Sequence, residues 1–160
     1  MKISMIGAGN LATNLAKALH SAGHDIIEVY SRTRESADAL AMQVEALPTD
    51  NIETLGRDAD IYILALKDSV LADIIPSLCS GRNDAVFVHT AGSVSIDIFK
   101  GHAVRYGVLY PMQTFSKSRI VDFSVIPVFL EASDSYTMTM LEDLAASVSN
   151  DVRQLDSPSR

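Results

Sequence analysis

Along the chain, short apolar and β-branched runs alternate with segments in which apolar residues recur at helical spacing. The first kind reads as a strand and the second as one buried face of a helix. Lys2 to Ile6 is the first strand. Leu11, Leu15, Ala18 and Leu19 then share one helical face, and Gly23 supplies a natural helix stop. Ile26 to Tyr30 is a second strand, followed by a helix from Glu35 to Met42 and a short strand from Val44 to Leu47 that Pro48 closes. The stretch Ala59 to Leu66, ADIYILAL, is nearly all apolar, as a central parallel strand covered on both faces must be.

The second half repeats the alternation. Asp68 or Ser69 is placed to cap a helix carrying Val70, Leu71, Ile74 and Ile75, which Pro76 should kink or end. Ala85 to His89 is a strand, Ser95 to Phe99 one helical turn, and Arg105 to Leu109 and Ile126 to Leu130 are two further strands. Met138, Leu141, Ala145 and Val148 make the stripe of a last helix, and Val152 to Leu155 a closing edge strand. This alternation predicts an α/β fold: a Rossmann-type doubly wound, mostly parallel sheet with helices on both faces. Residues 1–155 fit one dinucleotide-binding domain, and the polar ending Ser157-Pro158-Ser159-Arg160 makes 156–160 read as the start of a linker to a further domain.

Composition narrows the function classes. The chain is 48% apolar and 21% charged, and no apolar stretch approaches the roughly 20 residues that cross a bilayer. The opening MKISMIGAGN lacks the apolar region of a signal peptide, so a soluble, cytoplasmic protein with no membrane partner is expected. A net charge of −7 argues against nucleic acid as a partner, because phosphate backbones are held by clustered Lys and Arg. Cys79 stands alone and is read as a buried or half-buried thiol. His20, His24 and His102 are read as surface residues without ligand spacing, so no metal site is expected.

Chemistry enters at Gly7-Ala8-Gly9-Asn10-Leu11-Ala12, which follows the first strand and opens the first helix. A packing turn could use the same glycines. The βαβ context favours a dinucleotide: Gly7 permits the tight turn, Gly9 lets a pyrophosphate approach the backbone, and Ala12 keeps the helix close to the sheet. Amides near Asn10 and Leu11, at the positive end of the helix dipole, would meet the phosphates.

NAD sites usually place an acid at the end of the second strand, to accept from the ribose diol. Here Tyr30-Ser31-Arg32-Thr33-Arg34 occupies that place, and Glu28 lies too early. Ser31, Arg32, Thr33 and Arg34 suit a 2′-phosphate, because guanidinium forks match phosphate oxygens that a carboxylate would repel. NADP (NADPH) is therefore the expected cofactor, with NAD the disfavoured alternative.

On these residues the chain resembles the pyrroline-5-carboxylate reductase-like group of Rossmann proteins, in which G-x-G-N-[LM]-A follows the first strand and a Ser/Asn-Arg-Thr/Ser segment the second. Two later segments, His89-Thr90-Ala91-Gly92-Ser93 and Tyr110-Pro111-Met112-Gln113-Thr114-Phe115, narrow the likeness. They resemble a bacterial family of NADP-oxidoreductase-type proteins in which this domain precedes a helical C-terminal domain. A deazaflavin-dependent NADP reductase shares the same pattern. The resemblance implies NADP(H), a C-terminal helical domain outside these 160 residues that completes a substrate pocket and a homodimer, and relatives that reduce imines or oxidise hydroxy acids. Position 110 departs from it: the family form has His where this chain has Tyr110, and tyrosine does not titrate near neutral pH.

Ligands of an open α/β sheet lie across the carboxyl ends of its strands. Ala65, Leu66 and Lys67 would then pass the ribose and diphosphate, and Thr90 and Ala91 the nicotinamide. His89 is the candidate for proton transfer, or else a histidine held by a neighbouring backbone group. Lys67 is a candidate electrostatic contact or a solvated lysine, and Tyr110 is a third catalytic candidate. Ser93 and Thr114 could orient a small-molecule substrate, with no His and Asp arrangement to make Ser93 a nucleophile. Two readings stand: the cofactor lobe of an NADP-dependent oxidoreductase acting on a small imine, keto acid or hydroxy acid, or a non-catalytic NADP-binding sensor or scaffold.

Overall fold

The computed structural model describes residues 1–117, 119 and 121–155, so the expected linker start at 156–160 lies outside the described residues. Among the described residues, eight strands form one sheet: β1 (Lys2–Ile6), β2 (Asp25–Tyr30), β3 (Leu47–Thr49), β4 (Ile61–Leu64), β5 (Val86–His89), β6 (Arg105–Pro111), β7 (Val128–Ala132) and β8 (Val152–Gln154). Their spatial order is β3-β2-β1-β4-β5-β6-β7-β8. Every neighbouring pair is parallel except β6 with β7. This is the Rossmann-like α/β arrangement that the alternation predicts. The order reverses direction between β1 and β4, the position where such sheets open a crevice for a ligand.

Two apolar layers cover the sheet, because β1 and β4 are buried on both faces. On one face Leu15 and Leu19 of α1 (Asn10–Ser21), Leu40 and Val44 of α2 (Arg34–Val44), and Leu141 and Leu144 of α4 (Ser135–Ala146) pack on Ile3, Met5, Ile61 and Ile63. On the other, Leu71, Ile75 and Leu78 of α3 (Asp68–Cys79) pack with Phe99 on Ile6, Leu64 and Phe87. None of the described helices is long and apolar enough to cross a membrane.

Four expectations are corrected. Val44 ends α2 rather than starting a strand. The chain turns at Glu45, whose φ is 57°, and Pro48 lies inside β3. A proline is tolerated there because β3 is an edge strand. Pro76 does not end α3, which runs on to Cys79: it and Ala72, whose carbonyl loses its partner, are both exposed, while Leu71, Ile75, Leu78 and Cys79 hold the buried face. The helix starts at Asp68 without a side-chain cap from Asp68 or Ser69. Finally, β6 runs past Leu109 to Pro111 and β7 starts at Val128 rather than Ile126, because pairing of Tyr110 with Phe129 and Pro111 with Val128 extends the ladder.

Candidate functional site

The glycine turn sits where three strand ends converge. The Gly7 amide donates to the Tyr30 carbonyl at 2.8 Å, and the Ala65 amide donates to the Ile6 carbonyl at 2.9 Å, which stitches the ends of β2, β1 and β4 together. Gly7 has φ +122°, and a Cβ there would fall on the Ala65 carbonyl oxygen. Only glycine fits, because both backbone conformation and close approach exclude a side chain. Gly9 is different. Its φ is −78°, and a Cβ would meet no heavy atom within 4 Å, so its missing side chain leaves open space at the start of α1.

Gly9 is the N-cap of α1, with no side-chain cap and no acid in the first turn. The first hydrogen bond closes from the Thr13 amide to the Gly9 carbonyl at 2.9 Å, leaving the amides of Asn10, Leu11 and Ala12 without intrahelical acceptors. An open hollow, bare amides and the positive end of a helix dipole form a receptacle for an anion. The donor set therefore suits a dinucleotide pyrophosphate.

A cavity of about 220 Å³ lies over this turn, lined by Gly7, Ala8, Gly9, Tyr30, Ser31, Arg32, Ala65, Leu66, Lys67 and Val70. Seven residues singled out from the sequence meet there: Gly7, Gly9, Ser31, Arg32, Ala65, Leu66 and Lys67. Ala8, Tyr30 and Val70 also line it, although the sequence pattern marks none of them as a contact. Tyr30 and Ala8 adjoin site residues in the sequence, and Val70, in the first turn of α3, lines the cavity.

Arg32 is exposed and has no ion-pair partner among the described residues, whereas Arg34 donates to Asp38 at 2.9 Å. That pair holds the Arg34 guanidinium above its ordinary pKa. Arg34 lines a separate hollow of about 500 Å³ beside β3, with Thr49, Asn51 and Thr54. Thr33 is the N-cap of α2, and its amide donates to Ser31 Oγ at 3.3 Å. Glu28 is turned away: its carboxylate accepts from the Gly56 amide at 2.9 and 3.1 Å.

Beyond β4, the loop after β5 continues the rim. His89 is wholly buried, and its Nδ1 accepts from the Ala91 amide at 3.0 Å while Nε2 lies 3.4 Å from the Ser95 carbonyl. Ser93 Oγ donates to Asp68 Oδ2 at 3.1 Å, joining this loop to the start of α3. Tyr110 lies within β6 rather than after it, and its ring backs onto Gly92: a Cβ on Gly92 would sit 2.6 Å from the ring. Asn14 Nδ2 donates to the Ser116 carbonyl at 2.8 Å, which draws the segment after β6 toward α1. Thr90 is buried and Ala91 half-buried.

A larger hollow, about 540 Å³, lies against the far end of α1 between Lys17, Ser21 and Asp122, and no residue just after β1, β2, β4 or β5 lines it. The smaller cavity at the crevice is the better site because backbone donors converge there. No group of three or more His, Cys, Asp and Glu among the described residues could hold a metal ion. Cys79 is buried, and that burial pushes its thiol up to about 12, too high for a nucleophile.

Sheet order and glycine turn together define an NAD(P)-binding, oxidoreductase-type domain of the Rossmann kind. Residues 2–92 match the family described as NADP oxidoreductase, coenzyme F420-dependent, and the chain belongs to that family. It is similar to a Bacteroides fragilis protein provisionally named an NADP oxidoreductase, with a TM-score of 0.96 and 48% identity over 99% of this chain and 61% of that one. A Coxiella burnetii pyrroline-5-carboxylate reductase has a TM-score of 0.79 at 22% identity, over 97% of this chain and 58% of that one. Prephenate dehydrogenase from A. aeolicus, in a complex with hydroxyphenyl propionate and NAD+, has a TM-score of 0.83 at 15% identity, over 99% and 61%. The last two likenesses are of fold. The chain spans about three fifths of the length of these structures. A comparison with curated proteins finds no match.

Proposed function

We propose that the chain is the NADP(H)-binding lobe of an oxidoreductase that moves hydride between cofactor and a small imine, keto acid or hydroxy acid. The observation that carries this reading is Arg32, at the mouth of the glycine-turn cavity with no ion-pair partner among the described residues, with Ser31 beside it and with Glu28, the acid within β2, turned away to the Gly56 amide. Arg32 and Ser31 receive the 2′-phosphate. The amides of Asn10, Leu11 and Ala12 receive the diphosphate, and Gly9 keeps its path open. Ala65, Leu66 and Lys67 border the central ribose, and Thr90 and Ala91 face the nicotinamide end. Thr33 shapes the turn through Ser31, while Arg34 supports α2 through Asp38 and adds positive charge nearby.

When bound, NADP(H) supplies the hydride. Lys67, exposed at the cavity edge, is the electrostatic contact for an anionic substrate group, and Tyr110, whose ring backs onto Gly92 of the loop after β5, is the hydrogen-bond donor at the nicotinamide end. The domain beyond residue 160, helical in the resembling family, completes the pocket and a homodimer; the support is that this chain spans 61% of the Bacteroides protein.

Titration calorimetry with NADPH and NADH tests the cofactor. Arg32→Ala is expected to weaken NADPH by about tenfold or more, the loss of a charge-assisted contact of about 1.5–3 kcal/mol, and to leave NADH within twofold. Equal losses for both cofactors would remove the 2′-phosphate assignment. A non-catalytic sensor is the second reading, favoured by the occupied ring nitrogens of His89. Binding of NADPH without its oxidation by any imine, keto acid or hydroxy acid would select it.

A further inference from the structure

We infer that His89 is a positioning residue rather than a proton donor: in its neutral Nε2–H form it pins the Thr90–Ser95 loop that borders the nicotinamide half of the site. This deepens the proposed cofactor reading and rests on it.

The tautomer follows from the partners. The Ala91 amide can only donate, so Nδ1, 3.0 Å away, must carry a lone pair. The Ser95 carbonyl can only accept, so Nε2 must carry the proton. A single imidazole thus holds both ends of a short loop from beneath. Protonating Nδ1 would set a ring N–H against a backbone N–H and release Ala91. A proton could not be passed through this ring without breaking the loop's own anchor. The ring is held in turn by stacking on Phe99, with centroids 5.8 Å apart.

Two further contacts fix the same loop. The Tyr110 ring leaves no room for a side chain at Gly92, and the Asp68 carboxylate takes the Ser93 hydroxyl from across the rim. The loop is therefore restrained from below, behind and across. Its place along the site follows from register: Leu64 pairs with His89, so Thr90 and Ala91 leave β5 beside Ala65 and Leu66 of the cavity wall. In a doubly wound sheet, a dinucleotide with its pyrophosphate at the end of β1 has its adenosine toward β2 and its nicotinamide toward β4 and β5. A displaced loop should then disturb the nicotinamide half and spare the adenosine half.

Two probes separate those halves: adenosine 2′,5′-bisphosphate, which fills only the adenosine end, and NADP+. With His89→Phe, which keeps a ring against Phe99 but loses both nitrogens, NADP+ should weaken by about tenfold while the bisphosphate stays within twofold. Gly92→Ala, which forces the loop off Tyr110, should show the same split should His89→Phe fail to fold. His89→Asn, whose amide oxygen replaces Nδ1 as acceptor for Ala91, should recover most NADP+ affinity. In 15N spectra of the wild-type chain at neutral pH, His89 should show one protonated and one unprotonated ring nitrogen, with Nε2 the protonated one. A doubly protonated ring, or equal effects of His89→Phe and Gly92→Ala on both probes, would overturn the inference. If the wild-type chain binds neither probe, the cofactor reading falls and this inference with it, whereas loss of the split alone leaves the cofactor reading intact.

Discussion

The two glycines of the turn should separate stability from binding. At Gly7, alanine would bring a side chain into a backbone conformation of φ +122° and onto the Ala65 carbonyl oxygen, so β1 and β4 must part locally. Strain of that kind costs about 1–3 kcal/mol, which for a domain of this size lowers Tm by about 3–10 °C. At Gly9, alanine meets no heavy atom within 4 Å at an ordinary φ of −78°, so stability should change by less than about 0.5 kcal/mol. Its methyl would instead occupy the hollow before the free amides of α1. We expect Gly9→Ala to weaken NADPH by at least about tenfold, or about 1.4 kcal/mol. Thermal melts and calorimetric titration of the two variants read both quantities. Unchanged NADPH affinity in a folded Gly9→Ala chain would show that the hollow is not a phosphate cradle. An unchanged melt for Gly7→Ala would refute the close approach of the turn to β4.

Two other predictions concern the scaffold. Asp134 caps α4 by accepting from the Thr137 amide at 2.7 Å, so Asp134→Ala should lower stability by about 1 kcal/mol in denaturant titration, with NADPH affinity unaltered. Burial raises the Cys79 thiol from 9.0 to about 12, so between those values an unfolded chain releases a proton that the folded chain keeps. Stability should therefore fall as pH rises through that window, by up to about 1.4 kcal/mol per unit relative to Cys79→Ala. Parallel pH profiles for wild type and Cys79→Ala would refute the buried neutral thiol.

What neighbouring residues dictate was legible along the chain. Apolar periodicity and turn chemistry act over a few residues, so β1, β2, β4 and β5 and the helices after them follow from local pattern, as does the convergence of Gly7, Gly9, Ser31, Arg32 and Ala65 at the strand ends. Whatever depends on distant partners was decided only on folding. Pro48 belongs to a strand because β3 has a free edge, and Pro76 stays in α3 because the lost bond faces water. Tyr110 is drawn into β6 by Phe129, which lies far along the chain. Two arginines of like chemistry, two residues apart, are divided by Asp38, which holds Arg34 and leaves Arg32 to the cavity. His89 carries the same imidazole in either account. Its titrating chemistry is a property of the residue, but the burial and the two backbone partners that commit both nitrogens exist only once β5, its following loop and Phe99 are packed together.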